Sequence, residues 1–523
     1  MAPHDLRRTC AKLCHTNGGE LEQIQFLLGH ASVLTTERYL GCKQNLRGQL
    51  LGPSDDGYEA ARRIDNGMID HRPAMIVRCA GVADVMRAVK FAREYELLVS
   101  IRGGGHGIAG FAVCQGGMMI DLSQMRSVRV DPVERKARAE GGGTWGDFDD
   151  ETLAFGLAAT GGVARPTGIA GLTVAGGHGF LVRRFGLACD NLMSVDVVTA
   201  DGRMLRASAT ENTDLFWAVR GGGGNFGVIT SLEYQLHPIG PVLGGMLICP
   251  FHQARGFLRL YDNLMATAPD ELGGATVLGT LPDGTKAVVC LPGWSGPTDE
   301  GERLLQPLTT YGPPIADQLS TIPYGALQSI VENFNPRGMR NYWKKHYLRD
   351  LPDEAIRTMV ERYASVPAPL THVVIYSIGG GAVSRIGDDE TAVAYRDMRY
   401  AFVLVGMWEN PGDDERNVRW VRDFWDAMKP FAAGGYYVNY ESDVETDKVK
   451  AAYGAVKYER LATIKNKYDP TNFFRLNQNI KPTERERSIT GGIGRNGDGS
   501  AGRAACLKYS SRLLLRSCMW TSH

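Results

Sequence analysis

The chain between residues 74 and 102 carries the hydrophobic pattern of a strand, a helix and a second strand. The apolar run AMIVRC at 74–79 predicts a buried strand. Apolar residues then recur at helical spacing from Val85 to Ala92, and LLVSIR at 97–102 returns to a strand pattern. The pattern therefore predicts a β-α-β unit whose second strand ends on the loop Gly-Gly-Gly-His-Gly at 103–107.

The same patterns predict further elements along the chain. Thr144 and Asp147 have the spacing of a capping box, which predicts a helix running from there toward Phe155. Period-two or continuous apolar runs predict strands, and apolar residues at helical spacing predict a helix. These elements are a strand at 194–199 with a turn at 201–202, strands at 371–378 and 401–408, and a helix at 418–428.

Length and composition indicate a multidomain globular protein in which glycine is the one strong deviation. At 523 residues the chain is too long for one core, so two or three domains are expected. Of its 64 glycines, 26 lie between Gly103 and Gly227. Because that segment also carries Val, Ile, Leu and Phe, its glycines indicate backbone packed against a ligand rather than disorder.

Charge and cysteine content argue against several classes of protein. Lys and Arg number 58, as do Asp and Glu, so the charge gives no support for a dedicated nucleic-acid or membrane-surface protein. The ten cysteines form no CxxC pair, and Cys10, Cys14 and His15 have no second ligand pair at zinc spacing, so no metal site is expected. With no apolar run near the ~20 residues of a membrane span and no signal-peptide core, a cytoplasmic location is expected.

The segment Gly105 to Gly110 matches the pattern GxGxxG, which raises the possibility of a nicotinamide-binding site. In such a site the glycines open a helix and an acidic residue follows about 20 residues later. Here Gly116 and Gly117 follow almost at once, and Asp121 comes at about half the expected distance. The spacing therefore argues against a Rossmann site.

Four separate glycine loops remain, and together they favour a large ligand. Small residues let several backbone N–H groups converge on a pyrophosphate and let the chain lie flat against a planar ring. A single loop of this kind would be read as a tight turn between strands, but four loops within about 125 residues suit a dinucleotide such as FAD. The loops are at 103–107, 141–143, 168–179 and 221–227.

Six motifs in order give the chain a family resemblance. They are RGGGH at 102–106, DLS at 121–123, PTGIAGL at 166–172, DLFWAVRGGGGNFG at 214–227, YVNY at 437–440 and YDPTNFFRLNQNI at 468–480. From about residue 53 to 482 the chain resembles the berberine bridge enzyme-like FAD-linked oxidases.

The resemblance implies an α+β fold with an FAD-binding domain of the vanillyl-alcohol-oxidase (PCMH) type built from two parts. Residues 55–240 would form the first part and residues 432–482 the second, a berberine-like segment that returns to it. The inserted residues 241–431 would form a substrate-binding domain, an antiparallel sheet with helices on one side.

The resemblance also implies a covalently attached FAD. His106, in RGGGH, matches the family histidine bonded through a ring nitrogen to the flavin 8α-methyl group, and a neutral imidazole is nucleophilic. Some members add a second bond from a cysteine, but that position falls on Ala164, so His106 alone is expected to hold the flavin. His178 is a further candidate for a flavin contact. The other residues implied in cofactor binding are Arg102, Gly103, Gly104, Gly105, Gly107, Thr167, Gly168, Gly171, Thr173, Gly176, Gly177, Gly179, Asn225, Val228, Tyr437, Asn439 and Asn477.

Hydride transfer to flavin N5 requires removal of a substrate proton, so the site needs a base. In the resembling family a tyrosine of the YxNY segment often serves, which corresponds to Tyr440 here. The alternative is that Tyr440 is a packed aromatic residue, and Tyr376 is the second candidate. The carboxylate base of the alkaloid-forming branch aligns with Phe402, which argues against that chemistry.

The resemblance thus implies an FAD-dependent oxidase that acts on an alcohol, a sugar or a secondary metabolite, with O₂ as the expected electron acceptor. A flavin dehydrogenase with another acceptor stays open as an alternative. Substrate identity and oligomeric state do not follow from the sequence. Neither a membrane nor a nucleic acid is expected as a partner of the oxidase segment.

The two ends of the chain have a different character. Within residues 1–50, the segments His4 to Thr9 and Leu28 to His30, with Tyr39, resemble the C-terminal end of a phage-integrase-type tyrosine recombinase. The arginine and lysine that such an enzyme needs from its preceding part are missing from this chain, which suggests a non-functional fusion, a fusion that retains only DNA binding, or a mis-called start. Residues 483–523 are Arg- and Gly-rich without a sustained period and are expected to be a disordered tail.

Overall fold

The computed structural model of the chain describes residues 46–394, 396–434, 442 and 446–483. The first sheet is small and mixed, and it contains the predicted β-α-β unit. β2 and β3 both lie parallel to β4, and β1 adds antiparallel to β2, so the strand order is β1-β2-β4-β3. The strands are β1 Gln49–Leu51, β2 Met75–Arg78, β3 Val99–Arg102 and β4 Met118–Asp121, and the helices are α1 Tyr58–Arg62 and α2 Val82–Glu94.

This sheet confirms the patterns read from the sequence. The two predicted strands are β2 and β3, and the predicted helix is α2. The residues from Gly105 to Gly110 form an irregular loop with one turn at Ile108 and Ala109 rather than opening a helix, which agrees with the argument against a Rossmann site. Strand β1 at Gln49–Leu51 lies a few residues before the expected domain boundary at 55.

A second sheet is entirely antiparallel, with the strand order β5-β6-β10-β8-β9. Its strands are β5 Val128–Asp131, β6 Lys136–Glu140, β8 Leu192–Val198, β9 Met204–Ser208 and β10 Val228–Gln235, and the short strands β7 Leu157–Ala158 and β11 His237–Pro238 pair separately. The accompanying helices are α3 Trp145–Leu153, α4 Ile169–Val174, α5 Val182–Phe185 and α6 Thr213–Val219.

The predicted capping box is present at the start of α3. Thr144 Oγ1 accepts the Asp147 amide, and Asp147 Oδ2 accepts the Thr144 amide at 2.9 Å. The helix ends at Leu153, two residues before Phe155. The predicted strand at 194–199 is also confirmed, as β8.

The third sheet has nine strands, and all of its pairings are antiparallel. Its main path is β16-β13-β15-β14-β19-β20-β18, and β12 pairs with β15 and β17. The strands are β12 Val242–Gly244, β13 Leu247–Pro250, β14 Leu272–Thr280, β15 Lys286–Trp294, β16 Ala316–Asp317, β17 Ser320–Ile322, β18 Arg340–Leu348, β19 His372–Ser377 and β20 Tyr400–Trp408. The helices of this part are α7 Ala254–Thr267, α8 Thr298–Thr309, α9 Tyr324–Ser329, α10 Asp353–Tyr363, α11 Gly381–Arg385 and α12 Asp414–Met428.

The two faces of this third sheet have different partners. Phe257 of α7, Met359 of α10 and Phe424 of α12 are buried in one core with residues of the sheet, so the helices cover one face. The opposite face packs a separate apolar cluster that includes Val403 and Ile108, which brings it against the glycine-rich part of the chain. This arrangement confirms the expected α+β fold, with an antiparallel sheet that has helices on one side.

The C-terminal segment packs onto the first two sheets. It contains α13 Thr446–Tyr453 and α14 Ala455–Tyr468. Leu461 and Ile480 are buried in the core of the second sheet, and Phe473 and Phe474 are buried in the core of the first. Of the helices in the described ranges, none combines the length and apolar character that crossing a bilayer requires.

A buried carboxyl group joins α3 to the third-sheet part of the chain. Gln328 of α9 donates from Nε2 to Asp149 Oδ2 at 3.2 Å and to the Gly162 carbonyl at 3.0 Å. Asp149 is fully buried, and burial raises its pKa to about 7, opposed by the Gln328 hydrogen bond and by Arg165. In the folded protein, Asp149 therefore takes up a proton as the pH falls through about 7.

We expect Asp149→Asn to stabilise the protein more at pH 8 than at pH 5. Because the pKa is raised on folding, the cost of ionising Asp149 grows from about pH 4 and is complete above about pH 7. An amide removes that cost, so the free energy of unfolding should rise by about 1–3 kcal/mol at pH 8 and by less at pH 5. Urea unfolding at both pH values measures the difference. The matched control is Asp150→Asn, since that carboxylate is 65% exposed; an equal gain for Asp149→Asn at both pH values would contradict the argument.

Candidate active site

Glycine loops from four parts of the chain line one cavity with a volume of about 320 Å³. That volume lies at the lower end of the ~300–1,000 Å³ typical of small-molecule and cofactor sites. The lining glycines are Gly103, Gly104, Gly105, Gly107, Gly110, Gly141, Gly162, Gly168, Gly171, Gly223, Gly224 and Gly227. The four loops singled out in the sequence therefore meet at one place.

Two of these loops approach so closely that only glycine fits at the contact. A Cβ on Gly104 would lie 2.5 Å from the Gly168 amide nitrogen, and a Cβ on Gly168 would lie 2.5 Å from the Gly104 nitrogen. Because both obstacles are backbone atoms, no side-chain rotation relieves the clash. The absence of side chains here lets the two backbones form a continuous surface of the cavity.

His106 lines the cavity next to a carboxylate. Its Nδ1 lies 2.8 Å from Asp65 Oδ2, close to the carboxylate but without the angles of a well-directed hydrogen bond. The Asp65 backbone is held on both sides, because its amide donates to the Gly105 carbonyl and its carbonyl accepts the Gly338 amide. Asp65 is thus placed to keep Nδ1 as the proton-bearing nitrogen of His106.

Several residues that the resemblance implied in cofactor binding line the cavity, and others lie behind it. Besides His106 and the glycines at 103–107, 168 and 171, the lining includes Thr167 and Asn477. Ala164, the position expected to lack a second attachment, also lines the cavity. The residues that lie outside the lining are Arg102, Thr173, Gly176, Gly177, Gly179, Asn225 and Val228.

The residues behind the lining support its loops. Arg102 donates to the Ala61 carbonyl and lies 3.9 Å from Asp121. The Thr173 hydroxyl lies 2.7 Å from the Tyr234 hydroxyl, and Val228 is fully buried in the core of the first sheet. A Cβ on Gly179 would lie 2.0 Å from the Gly161 carbonyl, so this glycine allows a close backbone approach. These positions form the support of the cavity rather than its surface.

Two asparagines fasten the last glycine loop to the C-terminal segment. Asn225 donates to the carbonyls of Gly222 and Gln478 and accepts the Ile480 amide at 2.9 Å. Asn477 donates to the Gly224 carbonyl at 3.1 Å. Leu476, Asn477 and Gln478 line the cavity as a result, although they lie more than 240 residues after the loop.

A buried lysine completes this connection. Lys465 Nζ donates to the Asn225 carbonyl at 2.7 Å, to Asp469 Oδ2 at 2.7 Å and to the Phe474 carbonyl at 2.9 Å. The side chains of Lys465 and Asp469 are both 0% exposed. Asp469 also accepts the Phe473 and Phe474 amides, so one ion pair organises the turn that leads to Leu476.

The third sheet supplies the opposite wall of the cavity. The strand register places Trp343 of β18, Val405 of β20 and His372 of β19 in one row, and residues at spacing of two or four along each strand share that face. The sheet residues that line the cavity are Trp343, His372, Tyr376, Val403 and Val405. Tyr376, the second candidate base, is therefore in the site.

His178 lies behind Tyr376 rather than in the lining. Their ring centroids are 4.9 Å apart in an edge-to-face arrangement, and His178 is 5% exposed. Burial, assisted by Lys345, lowers the pKa of His178 to about 3. His178 is thus a neutral ring that packs on Tyr376 at neutral pH.

Most of the sheet wall lies outside the six motifs of the sequence. Trp343, His372, Val403 and Val405 belong to no motif, and a strand pattern alone does not say which of its faces meets a ligand. A signal was available in THVVIYSI, because His372 shares a strand face with the candidate Tyr376.

Tyr437, Asn439 and Tyr440 lie outside the described residues, so their roles stay predictions. Ser442, two residues after Tyr440, is described. Its Oγ accepts the Trp343 amide at 2.9 Å and its own amide donates to the Trp343 carbonyl. The chain therefore reaches the edge of the cavity wall at Ser442.

The residues present fit an FAD. The reciprocal Gly104–Gly168 contact leaves backbone without side chains at the cavity surface, as a flat ring or pyrophosphate requires, and His106 is held by Asp65 at that surface. No cysteine belongs to the lining that the structure describes. Across the same described residues, no group of three or more His, Cys, Asp or Glu side chains could hold a metal ion.

Two family models match the chain. One, described as an FAD binding domain, matches residues 73–208, and the other, described as berberine and berberine like, matches residues 436–481. The matches give no support to the recombinase resemblance near the N-terminus, most of which also lies outside the described residues.

Known proteins resemble the chain over most of its length. An FAD-linked oxidoreductase of Dictyostelium discoideum is 30% identical over 415 residues, which cover 79% of this chain and 89% of that protein. The (R)-6-hydroxynicotine oxidase of Paenarthrobacter nicotinovorans is 31% identical, covering 84% and 97%. Among solved structures, 6-hydroxy-D-nicotine oxidase of Arthrobacter nicotinovorans matches with a TM-score of 0.77 and 29% identity, covering 84% of this chain and 99% of that one.

Proposed function

Because the chain belongs to the berberine bridge enzyme-like FAD-linked oxidoreductases, we propose that it is an oxidase whose flavin is covalently attached through His106 alone. The proposed reaction oxidises a CH–OH group of a small molecule, with O₂ as the final electron acceptor. The observation that carries this proposal is the placement of His106 against Asp65 at the surface where the glycine loops meet.

The Asp65 contact supports the attachment chemically. With the proton of a neutral imidazole held at Nδ1 by the carboxylate, the lone pair resides on Nε2, which becomes the nucleophilic nitrogen. Ala164 supports a single attachment, since it offers no second nucleophile where some relatives of this family carry one. Asp65 therefore acts as the positioning residue of His106.

Bound FAD supplies the acceptor for the substrate hydride. The chain must remove the substrate hydroxyl proton, and we assign this step to Tyr440 in its phenolate form, which becomes the phenol, with Tyr376 as the second tyrosine of the pocket. Tyr376 lines the cavity, and Ser442 ties the chain close after Tyr440 to Trp343. The apolar wall formed by Val403 and Val405 excludes water from the reacting groups.

Screening for hydrogen peroxide release over a library of alcohols and sugars tests the oxidase reaction. Peroxide in proportion to oxidised product supports O₂ as the acceptor. Flavin reduction by a substrate without peroxide formation in air would contradict it and would indicate a dehydrogenase.

We expect His106→Ala to release the flavin when the protein is denatured in acid. The wild-type protein should keep its yellow colour after acid precipitation and show a mass increased by one FAD, because a carbon–nitrogen bond survives unfolding. The variant should lose both signatures, while non-covalent binding through the glycine loops can persist. Mass spectrometry of intact denatured protein provides the measurement.

His71→Ala is the matched control, since His71 is an exposed histidine outside the cavity lining and its removal should leave the mass increment unchanged. Asp65→Asn should slow the formation of the covalent product without abolishing it. A wild-type protein that releases all of its flavin in acid would show that the attachment proposal is wrong.

A further inference from the structure

The sheet side of the cavity is mostly apolar in the part of the chain that the structure describes. Trp343, Val403 and Val405 face the cavity there, and Val374 beside Val403 is 5% exposed. The Trp343 indole N–H donates to Asn341 Oδ1 at 3.0 Å, so the ring is available for stacking while its polar atom is already bonded. Such a wall favours a flat, apolar ligand over one with many hydroxyl groups.

His372 is the polar exception in this row of the wall. Its Nδ1 lies 2.9 Å from the Leu370 carbonyl oxygen. A carbonyl only accepts hydrogen bonds, so Nδ1 carries the proton, and in the neutral ring Nε2 is the acceptor. The backbone has therefore fixed which nitrogen of this cavity-lining histidine can receive a hydrogen bond.

The surroundings keep His372 neutral. Burial lowers its pKa, although the Leu370 hydrogen bond opposes the shift. Its neighbours across the sheet are the uncharged Val405 and Trp343. Lys345 lies one row along the sheet on this face, where it pairs with Val403, and the other titratable residues of the lining are His106 and Tyr376.

We propose that His372 Nε2 is a hydrogen-bond acceptor that determines substrate specificity. It binds the single hydroxyl or ring N–H donor of a largely apolar, ring-sized substrate that lies between Trp343 and the flavin site. The inference rests on the proposed function for the position of the flavin and goes beyond it by naming the substrate class. A saccharide would bring several hydroxyl groups against Val403 and Val405 and would leave them without partners, which costs binding free energy.

The test compares two ligands of which the second lacks the donor, because a methyl group replaces its hydroxyl hydrogen. The probes are 4-ethylphenol and 4-ethylanisole, titrated into the flavin-loaded protein by isothermal calorimetry without oxygen. The wild-type protein should bind the phenol about 3- to 10-fold more tightly at pH 7.5, as one neutral hydrogen bond predicts. Glucose and cellobiose should give no binding heat at concentrations that saturate with the phenol.

Three variants separate the acceptor from mere packing. His372→Phe removes the acceptor and should bind both probes equally. His372→Gln keeps an acceptor oxygen near the position of Nε2 and should retain the preference for the phenol. The exposed His252 serves as the control, since His252→Phe should behave as the wild type.

The pH dependence distinguishes histidine from any other acceptor. Protonated His372 cannot accept a hydrogen bond, so the wild-type preference should disappear as the pH falls through the acidic range below the ordinary histidine pKa. In His372→Gln the preference should persist, because an amide does not titrate there. A preference that survives in His372→Phe, a wild-type preference unaffected by acid, or tight binding of cellobiose would each overturn the inference.

Failure of the proposed function would look different. It would appear as a protein without acid-stable flavin, or one whose flavin no substrate reduces, whichever ligand it prefers. If His372→Phe fails to fold, His372→Gln still tests the inference. Its preference for the phenol across the acidic range supports or overturns it.

Discussion

Lys465→Met should destabilise the protein by about 3–5 kcal/mol and deprive it of flavin, because the substitution leaves the fully buried Asp469 carboxylate without its counter-ion. It also removes hydrogen bonds to the Asn225 and Phe474 carbonyls, which connect the last glycine loop to the turn before Leu476. Urea unfolding measures the loss of stability, and the flavin absorbance of purified protein measures the loss of cofactor.

Two comparisons make this result specific. Lys467→Met removes a lysine two residues away that is 58% exposed and pairs with Asp214, so it should cost only about 0–1 kcal/mol. The double variant Lys465→Met/Asp469→Asn should be less destabilised than Lys465→Met alone, because no buried charge is left unpaired. A Lys465→Met protein within about 1 kcal/mol of the wild type would show that the pair does not hold the turn in place.

Tyr440→Phe should lower the rate of flavin reduction by substrate by ~10² to 10⁴-fold, the usual contribution of a positioned base. The substitution removes one oxygen, so the flavin content, the flavin spectrum and the thermal stability should stay close to the wild type. KM should change far less than the rate, since the lost interaction belongs to the transition state. Anaerobic stopped-flow absorbance measures the reduction step directly.

Tyr376→Phe is the comparison for this prediction. If Tyr440 accepts the proton, Tyr376→Phe should change the reduction rate by a smaller factor, because Tyr376 then only lines the cavity. Near wild-type reduction by Tyr440→Phe together with a large loss in Tyr376→Phe would transfer the role to Tyr376. A loss of flavin in Tyr440→Phe would instead indicate a packed aromatic residue.

The local elements of this fold could be predicted because each has a short-range signal. The strand at β2, the helix α2 and the capping box of Thr144 depend on periodicity and on one side chain three residues away. Glycine clusters likewise identified the loops that meet at the cavity, since only glycine permits approaches such as that between Gly104 and Gly168.

The rest of the site depends on long-range packing that no local pattern encodes. The family resemblance implied cofactor binding for both Thr167, which lines the cavity, and Thr173, which bonds Tyr234 behind it, and so did not distinguish them. The motifs also did not identify Asp65 as the partner of His106, because the two residues are 41 positions apart in the chain and only the fold brings them together. His372 and Trp343 became part of the site only through the register of β18, β19 and β20.

The loop at 103–107 and the segment 476–478 line the same cavity. This arrangement determines when the cavity can be completed during synthesis of the chain. The ribosome synthesises the first loop hundreds of residues before the last lining residues. A growing chain can therefore fold the β-α-β unit of the first sheet long before its flavin site is complete. We therefore expect the complete flavin site to form only after the C-terminal segment has been synthesised. If the flavin is attached at His106 as proposed, the covalent bond should form only in chains whose C-terminal segment has already docked.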